Sequence, residues 1–511
     1  MISRCFAAGL HGIHAYEVTV ETRLDHALPK YFIVGLAEKA VKESYSRLYS
    51  AIKSSGYRMP GCKITQNLAP ADIPKEGTGF DLSLAVGVLA ASGDVDTSRL
   101  EDMILIGELA LDGHIRPSKG ILPIALSMKH FRQKQLLVPG ANAKEAAMPG
   151  YCTVWGVDTL QDAIDIINGR SSAKPEQVDV NSYFQYDVQD HVDFSEVKGQ
   201  AHVKRALEVA AAGGHNIVLI GPPGSGKSML AKRFSTILPD LTLDEAMETT
   251  AVYSVYEDIS DISLITRRPF RSPHHTVSDS ALVGGGRIPR PGEVSLAHNG
   301  VLFLDEFPEF KKNVLEVLRQ PLEDGQVTIS RALTSLTYPA SFMLIAAMNP
   351  CPCGYATDPK HECTCSIGQI QHYLSRISGP LLDRIDIHVD VPAVSYEEIS
   401  DPGDSECSAV IRKRVCAARS IQTERFRSHA HIHCNAHMGP RDIKRHCVLS
   451  AESRELLKIA IIRLGLSARA YTRILKVART IADLDADEDI RAAHISEAIH
   501  YRNLDRQNNG V

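Results

Sequence analysis

Long apolar runs are missing from this sequence of 511 residues. No stretch reaches the roughly 18–20 consecutive apolar residues that a membrane-spanning helix needs. The N-terminal segment also lacks the extended apolar stretch and the cleavage site that are typical of a secretory signal. We therefore expect a soluble cytoplasmic protein without a membrane partner.

A strong charge imbalance is absent as well. The formal net charge is only −5, so composition alone does not indicate a nucleic-acid binder, and any such surface must be local. Cysteine is present, but eleven is an odd number, which argues against a disulfide framework in a chain of this size. The hydrophobic fraction of 44% is enough for several buried cores, and the length predicts about two to four domains.

Changes in the residue pattern predict the domain boundaries. In residues 1–168, strand-like runs alternate with helical stretches, which predicts an α/β domain. Residues 169–192 are polar and predict an exposed linker. Strands and helices alternate again in residues 193–392, whereas residues 393–511 have apolar side chains at helical spacing and predict a mostly helical C-terminal domain.

A phosphate-binding loop is the clearest motif. It consists of Gly221, Pro222, Pro223, Gly224, Ser225, Gly226, Lys227 and Ser228, and fits the pattern G-x-x-x-x-G-K-[ST]. A predicted strand precedes the loop and a predicted helix follows it, so that backbone N–H groups and the helix N-terminus can hold phosphates. We expect Lys227 to reach the β- and γ-phosphates of ATP, and the Ser228 hydroxyl to bind Mg²⁺.

Two carboxylates follow a second apolar strand, Val-Leu-Phe-Leu. We expect Asp305 to hold Mg²⁺ through water and Glu306 to polarise the attacking water, which indicates hydrolysis rather than nucleotide binding alone. In isolation these residues could form a solvated acidic turn. The preceding phosphate-binding loop favours the catalytic interpretation.

Three further polar residues complete the predicted ATPase site. Asn349 ends a third apolar strand, where it resembles the sensor-1 residue that contacts the γ-phosphate. Arg384 resembles the arginine finger that reaches the ATP of a neighbouring subunit and offsets charge on the transferring phosphoryl group. The alternative for Arg384 is an ion pair with Asp383 or Asp386 of its own chain. Arg469 opens a predicted helix and resembles the sensor-2 arginine of ring ATPases.

The segment Arg268-Pro-Phe-Arg-Ser-Pro-His-His-Thr-Val-Ser and residues 282–300 resemble the magnesium-chelatase-like AAA+ proteins, and more narrowly the ComM/YifB family. Asn349-Pro-Cys-Pro-Cys-Gly and residues 467–484 fit the same family, so the resemblance covers nearly the whole chain. It implies a central AAA+ P-loop ATPase, in which helices cover both faces of a parallel sheet, and a C-terminal helical lid domain.

The resemblance also implies a function. Proteins of this family act as homohexameric, ATP-driven helicases that promote branch migration of DNA during homologous recombination in natural transformation. We therefore expect single-stranded or branched DNA, other copies of this chain and recombination proteins as partners. The alternative is a chelatase-like remodeller of a protein or metal-loading partner, since both classes share the ATPase motifs.

Two hairpins that project into the pore of the ring are a further implication of the resemblance. Residues 283–293 would form one hairpin, with Arg287 and Arg290, and residues 325–336 the other, with Arg331. Arginines in a pore can hold DNA phosphates without reading the base sequence. Solvated loop charge is the alternative for each of them.

Residues 74–82 and 107–122 resemble the proteolytic domain of Lon, which uses a serine nucleophile and a lysine that takes its proton. The serine position holds Gly79 and the lysine position holds Leu122. Because neither side chain can perform this chemistry, we expect a Lon-protease-like fold without protease activity.

Four cysteines, Cys351, Cys353, Cys363 and Cys365, lie within fifteen residues. Four thiolates can enclose Zn²⁺ tetrahedrally and leave no position open for water. This cluster therefore predicts a structural zinc site, although the C-x-C spacing is tighter than usual. Free thiols are the alternative.

Overall fold

The computed structural model describes residues 1–184, 192–256, 264–286, 290–330, 335–394, 405–429 and 432–502. The chain forms two compact units. The first unit comprises Met1–Asp187, Thr242–Thr266 and Ser330–Tyr338, and the second comprises Val188–Leu241, Arg267–Ile329 and Pro339–Val511. Two segments inside the predicted central domain therefore belong to the first unit.

A seven-stranded sheet organises the first unit. The strands of this unit are β1 (Ile2–His11), β2 (His14–Asp25), β3 (Lys30–Val34), β4 (Lys63–Ala69), β5 (Met103–Leu105), β6 (Glu108–Leu109), β7 (Ile115–Arg116), β8 (Gln135–Pro139) and β9 (Thr153–Val157). The order in the sheet is β3-β4-β2-β1-β5-β8-β9. The pairs β1–β2 and β2–β4 are antiparallel, whereas the other neighbouring strands are parallel.

The helices of the first unit are Lys39–Lys42, Ser44–Ser54, Asp81–Ser92, Ile121–Ser127, Ala143–Ala147, Leu160–Ile167 and Leu243–Tyr256. Asp81–Ser92 consists almost entirely of small and aliphatic residues and is buried along nearly its whole length. It packs against β1 and β2, because a helix that is apolar on every face must be covered on every face. The described part of the predicted linker, residues 169–184 and 192, is largely exposed, with a short 3₁₀ helix at Val180–Phe184.

A parallel sheet forms the centre of the second unit. The remaining strands are β10 (Ile217–Ile220), β11 (Phe270–Arg271), β12 (Gly284–Gly285), β13 (Arg290–Pro291), β14 (Val301–Leu304), β15 (Gln326–Ser330), β16 (Ser335–Pro339), β17 (Met343–Met348) and β18 (Ile387–Asp390). The central sheet has the order β11-β14-β17-β10-β18, and all its neighbouring strands are parallel. The predicted parallel sheet is therefore confirmed.

β10 comes first along the chain but lies between β17 and β18 in the sheet. Such a reversal of strand order opens a crevice at the carboxyl ends of the strands, which is where α/β proteins bind ligands. The phosphate-binding loop leaves β10 at this edge.

Helices surround this sheet and continue to the C-terminus. Those up to β18 are Ala201–Gly213, Lys227–Phe234, Asp279–Val283, Glu293–Leu296, Lys312–Glu316, Arg319–Asp324, Ile367–Leu374 and Gly379–Leu382. Those after β18 are Ser408–Arg425, Pro440–His446, Ala451–Leu464, Ala468–Leu484 and Ala492–His500. This confirms the predicted helical C-terminal region. Within the described residues, no helix has both the length and the apolar character needed to cross a lipid bilayer.

One hydrophobic core joins the sheet of the second unit to its C-terminal helices. Ile217 and Ile387 of the sheet, Val415 of Ser408–Arg425 and Ile474 of Ala468–Leu484 all belong to this core. The Ser467 side chain accepts a hydrogen bond from the Ala470 N–H and caps the helix Ala468–Leu484 near Arg469.

Candidate nucleotide-binding site

The backbone of the phosphate-binding loop depends on its glycines. Gly224 and Gly226 have φ angles of 76° and 88°, in the left-handed region that favours glycine. A Cβ atom added to Gly221 would lie 2.1 Å from the Val391 carbonyl oxygen, so a side chain cannot fit there. The helix Lys227–Phe234 begins directly after Gly226, so its free N–H groups face the loop.

Lys227 is the buried cation of this site. Its Nζ donates hydrogen bonds to the carbonyl oxygens of Gly221 at 2.7 Å and Pro222 at 2.8 Å, and to Asn349 Oδ1 at 3.3 Å. Burial lowers the pKa of Lys227, and the nearby Asp305 carboxylate partly opposes this shift. The site therefore favours an additional anion next to the ammonium group, and a phosphate has this charge.

The residues predicted to hold Mg²⁺ lie together. Ser228 Oγ donates a hydrogen bond of 2.6 Å to Asp305 Oδ2, and the Glu306 N–H donates one of 2.9 Å to Asp305 Oδ1. Hydroxyl and carboxylate oxygens are the donors that Mg²⁺ prefers, so these residues fit the ion. Asp305 reaches the loop because β14 is separated from β10 only by β17.

Glu306 lies at the same edge of the sheet with a φ of 53°. Its side chain is 58% exposed, and its Oε2 lies 2.9 Å from His275 Nδ1. Sequence reasoning did not single out His275, although the adjacent histidines in Ser-Pro-His-His-Thr were part of the family resemblance. It also missed Gln200, whose Nε2 donates to the Ser225 carbonyl at 2.9 Å and the Pro392 carbonyl at 2.8 Å.

Arg384 and Arg469 pair with residues outside this group. Arg384 is buried, forms an ion pair with Glu323 and donates to the Pro380 carbonyl at 2.7 Å. Within the described residues neither arginine forms a hydrogen bond or ion pair with the phosphate-binding loop. The two aspartates considered as alternative partners of Arg384 form ion pairs with other arginines instead.

Those partners are Asp383 and Asp386. The first lies 3.6 Å from Arg469 Nη1, and the second lies 2.5 Å from Arg473 Nη1. An arginine that acts on the nucleotide of a neighbouring subunit has no need to contact the loop of its own chain. The geometry of one chain is therefore compatible with the predicted finger.

Comparisons with known proteins identify the family. Residues 193–399 match the family described as "Magnesium chelatase, subunit ChlI", residues 20–142 match "Subunit ChlI of Mg-chelatase", and residues 405–502 match "Magnesium chelatase, subunit ChlI C-terminal". The chain is 44% identical over 497 residues to Competence protein ComM of Haemophilus influenzae, covering 97% of this chain and 96% of that protein. It belongs to the ComM/YifB family.

Other members of the family are similar over the same length. The uncharacterized protein YifB of Escherichia coli is 44% identical, with 97% of this chain and 96% of that protein covered. An uncharacterized protein of Mycobacterium tuberculosis is 38% identical, with 98% of each chain covered. The magnesium-chelatase-like AAA+ domain implied by the sequence motifs is thus confirmed. Membership of this family supports the ATPase type of the chain and implies ATP and Mg²⁺ as its ligands.

The arginines predicted to contact DNA are only partly described in this ComM/YifB-family chain. Arg290 is exposed at the start of β13, which pairs antiparallel with β12 through Gly285 opposite Arg290. A short hairpin therefore forms within the predicted segment. Arg287 and Arg331 lie outside the described residues, and contact of any of the three with DNA stays a prediction.

The four clustered cysteines of this family member come together in space. The Sγ atom of Cys351 lies 3.3 Å from that of Cys353 and 3.7 Å from that of Cys363. The Cys353–Cys363 distance is 3.6 Å, and all four sulfur atoms, including that of Cys365, lie within 4.8 Å of one another. Tetrahedral Zn²⁺ with bonds of about 2.3 Å places its sulfur ligands about 3.8 Å apart. The cluster therefore fits a metal ion.

The positions that resemble the Lon dyad lie in the first unit. Leu122 is fully buried, and its N–H donates to the buried Glu145 carboxylate at 3.0 Å. A Cβ atom added to Gly79 would lie 4.0 Å from the Ser118 hydroxyl. Gly79 and Leu122 supply neither a hydroxyl nor an amine, and the lack of protease activity stays a prediction.

Proposed function

We propose that this protein is an ATP-driven, ring-forming DNA motor that acts as a helicase and promotes branch migration during homologous recombination in natural transformation. The observation that supports the ATPase part is the group formed by Lys227, Ser228, Asp305 and Asn349 at the carboxyl edge of the sheet. The DNA part is supported by the 44% identity to a competence protein over 97% of the chain. A cytoplasmic location, DNA and recombination proteins as partners, and a homohexameric ring belong to this proposal.

Each residue of the group has a role in the proposed reaction. Lys227 holds the β- and γ-phosphates, and Ser228 and Asp305 hold Mg²⁺, which offsets phosphate charge when it is bound. Glu306 polarises the attacking water and takes its proton at a carboxylate oxygen. Asn349, which contacts Lys227, orients the γ-phosphate or the water.

Arginines provide the contacts beyond the nucleotide pocket. Arg384 and Arg469 act at the interface between subunits, where Arg384 offsets charge on the γ-phosphoryl group of the neighbour. Arg384 is paired with Glu323 within its own chain and must leave this partner to do so. Arg287, Arg290 and Arg331 hold the DNA backbone in the pore.

ATP hydrolysis in the presence of different DNA molecules tests the proposal. We expect single-stranded or branched DNA to raise the turnover rate severalfold over the DNA-free rate. Lys227→Ala and Glu306→Gln serve as inactive controls, each with a loss of roughly 100-fold or more. If the wild-type protein hydrolyses ATP and no DNA changes its turnover or its assembly into rings, the DNA motor is wrong while the ATPase stands.

The second candidate is a chelatase-like remodeller of a protein or metal-loading partner. It is favoured by the three chelatase-subunit families that together match most of the chain. The same assay separates the two candidates. A remodeller is expected to ignore DNA and to hydrolyse ATP faster when its protein partner is added.

A further inference from the structure

The Asn216 side chain spans two chain segments at the amino end of the central sheet. Asn216 directly precedes β10, which lies between β17 and β18. Its Oδ1 accepts a hydrogen bond from the Leu344 N–H of β17 at 2.8 Å, and its Nδ2 donates one to the Arg384 carbonyl oxygen at 3.0 Å. Because the oxygen faces a donor and the nitrogen faces an acceptor, these partners fix the orientation of the amide.

The main chain of Asn216 contacts the same segment before β18. Its carbonyl oxygen accepts hydrogen bonds from the N–H groups of Asp386 and Ile387, both at 3.0 Å. Its own N–H donates to the Asp386 carboxylate at 3.3 Å. The chain that leads from Arg384 into β18 is therefore attached to the start of β10 by the side chain and the main chain of one residue.

The backbone of Arg384 is held, whereas its guanidinium group retains an unused donor. The guanidinium pairs with the exposed Glu323 carboxylate and donates to the Pro380 carbonyl at 2.7 Å. Its Nε is buried and has no hydrogen-bond partner among the described residues. A long side chain reaches a defined target only when the point at which it leaves the backbone is fixed. The Arg384 carbonyl is fixed by Asn216.

Arg384 and the phosphate-binding loop of its own chain lie at opposite edges of the sheet. Arg384 precedes β18 by three residues (387 − 384), whereas Gly221 follows β10. β10 and β18 are parallel, with Ile217 opposite Ile387, so the start of one lies beside the start of the other. The four residues of β10 extend over about 13 Å between these edges. Asn216 is thus placed next to Arg384 and away from the loop of its own chain.

We propose that Asn216 is the positioning residue for Arg384, the arginine assigned above to the nucleotide of the neighbouring subunit. Its amide holds the Arg384 carbonyl and so determines where the side chain leaves the sheet. Asn216 therefore serves the site that is completed by the next subunit. This inference rests on the proposed ring-forming ATPase and on the role of Arg384 in it.

Two substitutions of Asn216 test this role. We expect Asn216→Ala to lower the kcat for ATP hydrolysis about tenfold or more, because Arg384 is misplaced. The KM for ATP should change less than about twofold, because the phosphate-binding loop is unaltered. Asn216→Asp has the shape of asparagine and keeps an acceptor for the Leu344 N–H, but it presents an oxygen to the Arg384 carbonyl. It should lose as much kcat as Asn216→Ala.

Gln422→Ala is the matched control for a structural effect. Gln422 is a fully buried amide that also bridges two backbone groups, since it donates to the Ala212 carbonyl at 3.0 Å and accepts from the Asn435 N–H at 2.9 Å. Its loss leaves both groups without a partner. We expect Gln422→Ala to lower the thermal unfolding temperature at least as much as Asn216→Ala, while its kcat stays within about twofold of the wild type.

Mixed rings then assign the Asn216 defect to one side of the subunit interface. Asn216→Ala chains mixed with Lys227→Ala chains should exceed the summed activity of the separate preparations, because some interfaces combine an intact loop with a correctly placed arginine. Mixing with Arg384→Ala chains should give no such gain, since both defects lie on the same side. A gain with Arg384→Ala, an unchanged kcat in either Asn216 variant, or an equal loss of kcat in Gln422→Ala overturns the proposal.

Rings mixed from Lys227→Ala and Arg384→Ala chains distinguish this proposal from the function on which it rests. If they gain no activity, the action of Arg384 between subunits is wrong, and the role of Asn216 is wrong with it. If they gain activity but Asn216→Ala with Lys227→Ala does not, only the role of Asn216 is refuted.

Discussion

At the scale of single residues, Asp386 is the buried charge that joins β18 to the C-terminal helices of the second unit. It accepts a hydrogen bond from Arg473 Nη1 at 2.5 Å and lies 3.2 Å from His215 Nδ1. The other nitrogen of His215 lies 2.8 Å from the Thr480 hydroxyl. Burial alone would raise the pKa of Asp386, but Arg473 and His215 more than offset it and hold that pKa well below its usual range.

Removing this carboxylate is expected to destabilise the protein. Asp386→Ala leaves Arg473 without its buried partner, and we expect a loss of about 3–5 kcal/mol in the free energy of unfolding near pH 7. Urea unfolding followed by far-ultraviolet circular dichroism measures this loss. Asp383→Ala, which removes only a partly exposed carboxylate 3.6 Å from Arg469, is the matched control and is expected to cost less than about 1 kcal/mol.

The pH dependence of the stability lost in Asp386→Ala follows from the direction in which the pKa of Asp386 is shifted. Because the folded-state pKa is lowered, the stabilisation by Asp386 is complete above the unfolded carboxyl pKa of about 3.9 and is lost as the pH falls below it. The stability difference between the wild type and Asp386→Ala is therefore expected to stay constant between about pH 5 and 8 and to shrink below about pH 4. A difference that changed mainly near pH 6 would assign the effect to a histidine instead.

At the scale of structural elements, the cysteine segment and the phosphate-binding loop pack together. The cysteine segment, residues 350–365, follows Asn349 directly and contains the four clustered cysteines. Its Gly354 has a φ angle of 90°. A Cβ atom added to Gly354 would lie 2.6 Å from Pro223 Cδ. A metal ion in the cluster would thus fix the fold of a segment that supports both the loop and Asn349.

Loss of that metal is expected to affect the nucleotide site. Purified protein should contain about one zinc ion per chain, and Cys363→Ser should remove it, lower the thermal unfolding temperature and weaken ATP binding severalfold. Metal analysis, thermal unfolding and nucleotide titration measure these changes. Cys416→Ser, on the helix Ser408–Arg425, is the control that keeps the metal. Less than about half a zinc ion per wild-type chain would contradict the prediction.

At the scale of the whole molecule, the proposed ring places Arg384 of one subunit on the nucleotide of the next. Mixing Lys227→Ala chains with Arg384→Ala chains should then restore activity that neither has alone. At equal amounts and random assembly, about one quarter of the interfaces combine an intact loop with an intact arginine. The rate of ATP hydrolysis, measured at several mixing ratios of the two variants, tests this prediction.

The matched control combines two defects on the same side of the interface. Lys227→Ala mixed with Glu306→Gln should not regain activity, because every active interface needs both residues from one chain. Rescue in that control, or no rescue by Arg384→Ala at any ratio, would argue against action between subunits.

The local sequence pattern was sufficient to predict much of the structure of the nucleotide-binding site. The apolar runs before Gly221, Asp305 and Asn349 formed the expected strands, because four to six consecutive buried residues between polar ends suit a covered parallel sheet. The same residues then met at one edge, since parallel strands present their carboxyl ends together. The identities of Lys227, Ser228 and Asp305 could thus be predicted, and so could their proximity.

Partners distant along the chain could not be predicted in this way. Arg384 pairs with Glu323, which precedes it by 61 residues, and not with either adjacent aspartate. His275 reaches Glu306 only because β11 lies next to β14 in a particular register. The sequence alone therefore specified the nucleotide loop, the strands and the family, because these depend on neighbouring residues. Tertiary structure decided which side chain contacts Glu306 and which carboxylate pairs with Arg384, because strand order and register bring distant segments into contact.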